Sequence, residues 1–185
     1  MIGPVVLERE VCWEGRYLRS LMIRYRSRKG DIIEWEAFQR IGVKGIVAIV
    51  PFTREGEVVL IRQFRPPVNR FVVEFPAGLN DMEESLEEVA LRELYEETGY
   101  ASGRLEPVAE GPLSSGASTE ILTVFVATDC FLKGGQQLDK VEDIEVLKLP
   151  FNGFHERLTG LQDKETLVDL KIYGLFELAR RRAGL

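Results

Sequence analysis

Glu93, Glu96 and Glu97 lie three and four residues apart in the run Arg92-Glu93-Leu94-Tyr95-Glu96-Glu97. On a helix turning about 100° per residue they share an arc roughly 100° wide. Leu86, Val89, Ala90 and Leu94 occupy nearly the same arc, so three carboxylates stand at the edge of the face that should turn inward. Burying an unpaired carboxylate is expensive, and neighbours of like sign raise the cost further. No basic residue shares the arc, which makes a bound divalent cation the natural counter-charge. Hard oxygen donors at this spacing suit Mg²⁺, with Mn²⁺ as a substitute. The competing reading is a solvated acidic face that holds no metal.

The elements that must carry these carboxylates follow from the pattern around them. Residues 80–98 hold no proline or glycine and are rich in glutamate and leucine, which predicts a helix closed by Gly99. Upstream, residues 45–52, 57–65 and 71–75 read as strands, the second stopped by Pro66-Pro67. Residues 121–128 and 144–149 read as two more strands, and residues 165–182 as a terminal helix striped by Leu167, Leu170, Leu175, Leu178 and Ala179. Nearer the start, residues 18–25 and 32–40 form a hairpin across Arg28-Lys29-Gly30-Asp31. Two strands alone are marginally stable, so this hairpin is expected to pack on the main domain or on a second subunit. Strands on both sides of one acidic helix, with a helix at the end, predict an α/β/α sandwich around a mixed sheet.

Composition narrows the classes of function. The chain has 185 residues, 45% of them hydrophobic, enough for an ordinary core. No apolar run approaches the ~18 residues that would cross a bilayer, and the first ten residues show no basic segment leading into a long apolar stretch, so neither a membrane span nor a secretory signal is expected. A net charge of −6 argues against general nucleic-acid binding. The basic run Arg24-Tyr25-Arg26-Ser27-Arg28-Lys29 reads as strand running into turn. Cys12 and Cys130 are too few for a disulfide framework and are read as reduced thiols of a cytoplasmic protein. With His155 as the sole histidine, a histidine-rich metal site is excluded. No internal repeat or low-complexity segment is visible.

The segment from Gly78 to Tyr100 resembles the Nudix box: a glycine, five residues, a glutamate, seven residues, then Arg-Glu-aliphatic-X-Glu-Glu-X-Gly-aliphatic. Gly78, Glu84, Arg92, Glu93, Leu94, Glu96, Glu97 and Gly99 all fall on its fixed positions, and Tyr100 replaces the closing aliphatic residue. The resemblance implies the α/β/α Nudix fold and hydrolysis of a nucleoside diphosphate linked to another group. It implies metal ligation by Glu93, Glu96 and Glu97, with the carbonyl of Ala77 adding a ligand. It further implies that Arg92 orients the acidic cluster and pairs with Glu84. The metal would neutralise the bridging pyrophosphate and position an attacking water.

Further segments resemble the ADP-ribose (ADP-sugar) pyrophosphatase branch of that family. These are Gln63-Phe64-Arg65-Pro66-Pro67, Glu74-Phe75-Pro76-Ala77-Gly78-Leu79, Trp35-Glu36 with Arg40, and Val141-Glu142-Asp143-Ile144-Glu145-Val146 followed by Leu167-Val168-Asp169. The branch implies two parts. Residues 1–42 would be an N-terminal β region serving dimerisation and base contacts, and residues 43–185 the Nudix hydrolase domain of a homodimer. Trp35 and Tyr17 would stack on adenine, while Arg40 and Arg65 would contact the diphosphate or terminal ribose. Glu142 is the matched candidate for general base, with Glu96 as the rival. One departure stands out. In Pro112-Leu113-Ser114-Ser115-Gly116-Ala117-Ser118-Thr119-Glu120 the branch expects proline where Ser115 stands, in a loop expected near the terminal sugar.

ADP-ribose is therefore the expected substrate, cleaved to AMP and ribose 5-phosphate. GDP-mannose, a UDP-sugar or an oxidised nucleotide are alternatives within the fold. A non-catalytic nucleotide-binding protein is the alternative outside it, and the presence of all three metal glutamates argues against that.

Overall fold

In the computed structural model, which describes residues 3–140 and 142–185, the chain opens with a three-stranded antiparallel sheet. β1 (Val5–Glu14) pairs with β2 (Leu18–Arg26), and β2 with β3 (Ile32–Arg40). The β2–β3 register runs from Leu18 opposite Arg40 to Arg26 opposite Ile32, and Gly30 closes the turn at φ 95°. The hairpin is as expected. β1 is an addition, since its run of charges and single apolar residues carries no clean alternation. Met1, Ile2 and Val141, which figure in the readings of the chain's start and of the 141–146 segment, lie outside the described residues.

The main sheet is mixed. Its elements are β4 (Gly45–Thr53), β5 (Glu57–Arg65), β6 (Arg70–Glu74), β7 (Ala77–Asn80), β8 (Tyr100–Ala101), β9 (Arg104–Pro112), β10 (Ile121–Leu132), β11 (Ile144–Pro150) and β12 (Thr166–Val168). The central order is β12-β6-β5-β4-β10-β8, with β11 on β5, β7 on β4 and β9 on β10. β4 and β10 run parallel, as do β6 and β12. Helix α1 (Leu86–Thr98) covers one face; α2 (Phe154–Thr159) and α3 (Lys171–Ala183) cover the other.

Strand β4 shows why two layers are needed. Its side chains alternate between faces, yet residues on both faces are buried. Val47 and Ile49 join Val89, Ala90 and Leu94 of α1, whereas Ala48 and Val50 join Phe154, Leu158, Ile172 and Phe176 of α2 and α3. A strand buried on both faces reads as a continuous apolar run, and Gly45-Ile46-Val47-Ala48-Ile49-Val50-Pro51-Phe52 is one. The α/β/α layering predicted from the sequence is the observed architecture.

Two helix boundaries differ from expectation, each for a local reason. The acidic helix begins at Leu86 rather than at residue 80, because Ala77–Asn80 pairs with β4 as a strand. Ser85 is the N-cap: its Oγ accepts from the Glu88 N–H at 3.2 Å, and the Glu88 carboxylate accepts from the Ser85 N–H at 2.8 Å. The terminal helix begins at Lys171 rather than at residue 165, because β-branched Thr166 and Val168 are buried as a parallel strand beside β6. Strand β9 and helix α2 were also not foreseen.

Candidate active site

The loop into β7 and the body of α1 bring the acidic cluster together. Glu97 is only 4% exposed and accepts a hydrogen bond from the Ala77 N–H at 2.9 Å. Glu93 lies against Gly78, where a Cβ would come within 2.0 Å of its carboxyl carbon. Only glycine lets the backbone approach so closely. Gly99 ends α1 at φ 75°, a left-handed position that favours glycine, and its N–H returns to the Tyr95 carbonyl.

Burial pushes the Glu97 carboxyl up to about 8, helped by the nearby charges of Glu93 and Glu142 and opposed by the Ala77 hydrogen bond. Burial likewise lifts Glu93 to about 7, with Arg92 pulling it back. Arg92 donates to Glu84 at 3.1 Å and to Glu93 and Glu96 at 2.9 Å each. The helical wheel puts no basic residue on the carboxylate arc, yet the long Arg92 side chain reaches round to it. Among the described residues no three acidic, histidine or cysteine side chains already converge as a ligand set. The donor chemistry nonetheless fits a hard divalent cation. Glu93, Glu96 and Glu97 supply oxygen, Glu93 and Glu97 are driven toward neutrality by burial, and the Arg92 guanidinium faces only three carboxylates, Glu84, Glu93 and Glu96.

A cleft of about 500 Å³ opens on the α3 side of the same loop. Arg40, Arg65, Ala77 and Gly78 line it, over an apolar floor that includes Phe75 and Leu122. Arg65 forms a two-pronged pair with Glu74, Nε at 2.9 Å and Nη2 at 2.5 Å. Arg40 pairs with Glu120 through Nε at 2.6 Å. Asp169 and Lys171, at the start of α3, form the far wall.

The remaining expected residues are placed as follows. Glu142 is exposed on the loop after β10, where its carboxylate accepts from the Asp139 N–H at 2.9 Å and its charge bears on both Glu93 and Glu97. Trp35, 47% exposed, donates its indole N–H to the Gly116 carbonyl at 2.9 Å and does not line the cleft of its own chain. Tyr17 is 66% exposed, outside the cleft, with the Arg16 guanidinium 5.0 Å from its ring centre. Ser115 lacks proline's ring, but its loop is braced by the Ala117 and Ser118 N–H groups returning to the Ser114 carbonyl at 2.9 and 2.8 Å.

Sequence reasoning missed the acids that hold the arginines, and Gln136. Glu74 and Glu120 both stand inside segments that resemble the branch, but pairing across nine and eighty residues leaves no local signal. Gln136 ties the Glu142 loop to the helix, donating to the carbonyls of Glu97 at 2.6 Å and Ile144 at 3.0 Å.

Comparison with known proteins agrees with this geometry. Residues 43–169 match the NUDIX domain model. An ADP-sugar pyrophosphatase of Mus musculus is 34% identical over 97% of this chain and 88% of its own. The chain belongs to the Nudix hydrolase family. A GDP-mannose pyrophosphatase of Pectobacterium atrosepticum is 43% identical over 53% of this chain and 54% of its own. Among solved structures, one described as an ADP compounds hydrolase superposes with a TM-score of 0.80 over 100% of this chain and 96% of the other, at 20% identity. That likeness shows the fold.

Proposed function

We propose that the chain cleaves the pyrophosphate of a nucleoside diphosphate sugar, with ADP-ribose giving AMP and ribose 5-phosphate. The observation that carries this reading is the meeting of two charge fields across one loop. Ala77 and Gly78 touch the carboxylate cluster on one side and line the arginine-bearing cleft on the other. A pyrophosphate needs both, guanidinium groups for its oxygens and an acid cluster able to hold a metal. The cleft's volume is in the range of small-molecule sites.

Glu93, Glu96 and Glu97, with the Ala77 carbonyl, would hold Mg²⁺, or Mn²⁺ in its place. The metal would supply charge neutralisation on the pyrophosphate and acidify a water. Arg92 holds Glu93 and Glu96 in position. Arg40 and Arg65 bind the diphosphate or terminal ribose. Glu142, whose loop is tied to α1 by Gln136, takes the proton from the attacking water.

Trp35 and Tyr17 stack on the base in an assembled homodimer. All ten residues of β1 are exposed, among them Val5, Val6, Leu7, Val11 and Trp13. Apolar exposure of that extent on a sheet edge fits contact with a second copy. The two free thiols fit a reducing, cytoplasmic setting. No helix among the described residues is long and apolar enough to cross a membrane.

The test is formation of nucleoside monophosphate and sugar phosphate from a panel of ADP-, GDP- and UDP-sugars with Mg²⁺, separated by chromatography. ADP-ribose should lead the panel. The Pectobacterium relative favours GDP-mannose as the second reading, and preference for it by about tenfold in kcat/KM would replace the substrate and keep the chemistry.

A further inference from the structure

The loop from Ser114 to Glu120 grips three residues of β3 in the same chain. Gly116 accepts from the Trp35 indole at 2.9 Å. Ala117 accepts from the Phe38 N–H at 2.8 Å, and Thr119 donates back to the Phe38 carbonyl at 3.2 Å. Glu120 then takes Arg40. Glu120 is itself well fixed: its N–H donates to the Ser118 Oγ at 2.9 Å, and its side chain is 11% exposed against 41% for Arg40.

The direction of the Arg40–Glu120 pair matters more than its length. Arg40 lines both the main cleft and a second hollow of about 270 Å³ behind it, whereas Glu120 lines only the second. Seen from the cleft, Glu120 stands behind the arginine and does not compete for a ligand within it. It engages Nε, and among the described residues neither terminal nitrogen of Arg40 has a side-chain partner. Arg65 differs, because Glu74 takes its Nε and one terminal nitrogen. Arg40 is thus the arginine whose fork stays open to a two-pronged anion.

We propose that Glu120 is a positioning residue: it locks the Arg40 guanidinium so that both terminal nitrogens face the substrate diphosphate. The same loop sets Trp35 through Gly116. This rests on the reading of the cleft as a nucleoside diphosphate sugar site. An arginine held in its binding conformation loses less freedom when a ligand arrives. The benefit therefore falls on binding and not on the chemical step.

The test compares Glu120→Ala, Glu120→Gln, Arg40→Ala and the double variant, by steady-state kinetics with ADP-ribose and by calorimetric titration with ADP. Glu120→Ala should raise KM and weaken ADP binding by about tenfold with kcat within about twofold, the signature of lost uniform binding. Glu120→Gln keeps an acceptor oxygen for Nε and should recover most of that loss. In the Arg40→Ala background, Glu120→Ala should add little, because the two side chains act as one unit. A loss that persists undiminished without Arg40, a fall in kcat at constant KM, or wild-type behaviour of Glu120→Ala would each overturn the proposal. If Glu120→Ala does not fold, Glu120→Asp, which withdraws the carboxylate by one methylene, replaces it in the cycle. If the wild-type protein cleaves no nucleoside diphosphate sugar, the substrate reading has failed, and the ADP titrations still decide the role of Glu120.

Discussion

The Glu97 carboxyl, proposed as a metal ligand, links proton binding to stability. Burial raises it from 4.5 to about 8 in the folded chain, while the unfolded chain keeps the lower value. Between those two values the folded state holds a proton that the unfolded state has released. The stability of the metal-free protein therefore falls as pH rises from about 4.5 to about 8. Thermal melts in chelator should show Tm declining across that window, and Glu97→Gln should lessen the decline, leaving the part that the raised Glu93 carboxyl contributes. The same variant should lose roughly 10²-fold or more in kcat with Mg²⁺, since several kcal/mol of charge stabilisation go with the ligand. Full activity would remove Glu97 from the metal site. Glu142 makes a different kind of contribution. Because it is exposed and bears on Glu93 and Glu97 only through space, Glu142→Gln should lower kcat by roughly 10²-fold with KM little changed. A raised KM at constant kcat would instead make it a binding residue and leave Glu96 as the candidate base.

Among the elements, α1 shows what sequence discloses and what it hides. Its carboxylates were legible because a fixed spacing of charged types along one helix is local information. Its start was placed six residues early, since Asn80–Thr98 looks uniformly helical, and the pairing of Ala77–Asn80 with β4 decides otherwise. The local mark of the true start is the capping pair Ser85-x-x-Glu88. Ser85→Ala should cost about 1 kcal/mol and lower Tm by roughly 2–4 °C, with kinetics at the acidic cluster nearly unchanged. A calorimetric scan and one kinetic curve check this. The short strand β12 was hidden for a related reason: Thr166, Leu167 and Val168 continue the leucine periodicity of α3, and only the company of β6 makes them a strand. The acid that holds Arg40 was illegible because it lies eighty residues away, and the one that holds Arg65 because the β5–β6 pairing that brings Glu74 beside it leaves no mark in the residue types.

On the scale of the whole molecule, the N-terminal sheet stands on the loop after β9 and exposes all of β1. If that strand is covered by a second copy, Trp13→Glu should yield a monomer by light scattering. Activity should fall with it, because Trp35 and Tyr17, proposed to stack on the base, lie outside the single-chain cleft. An active monomer at micromolar concentration would contradict the dimer. Trp35→Ala should raise KM by the equivalent of about 1–3 kcal/mol while sparing kcat, as expected for a stacked base.

The cleft also has an order in time. Asp169, Lys171, Ile172 and Leu175, which line it, follow β4 and β10 in the chain, while Arg40 precedes both. During synthesis the ribosome therefore releases β4 and β10 well before the helices that cover one of their faces. Until then Ala48, Val50, Leu122 and Val124 have no α3 beside them. A nascent chain in that state is a natural client for a chaperone, and the cleft is complete only once α3 has emerged.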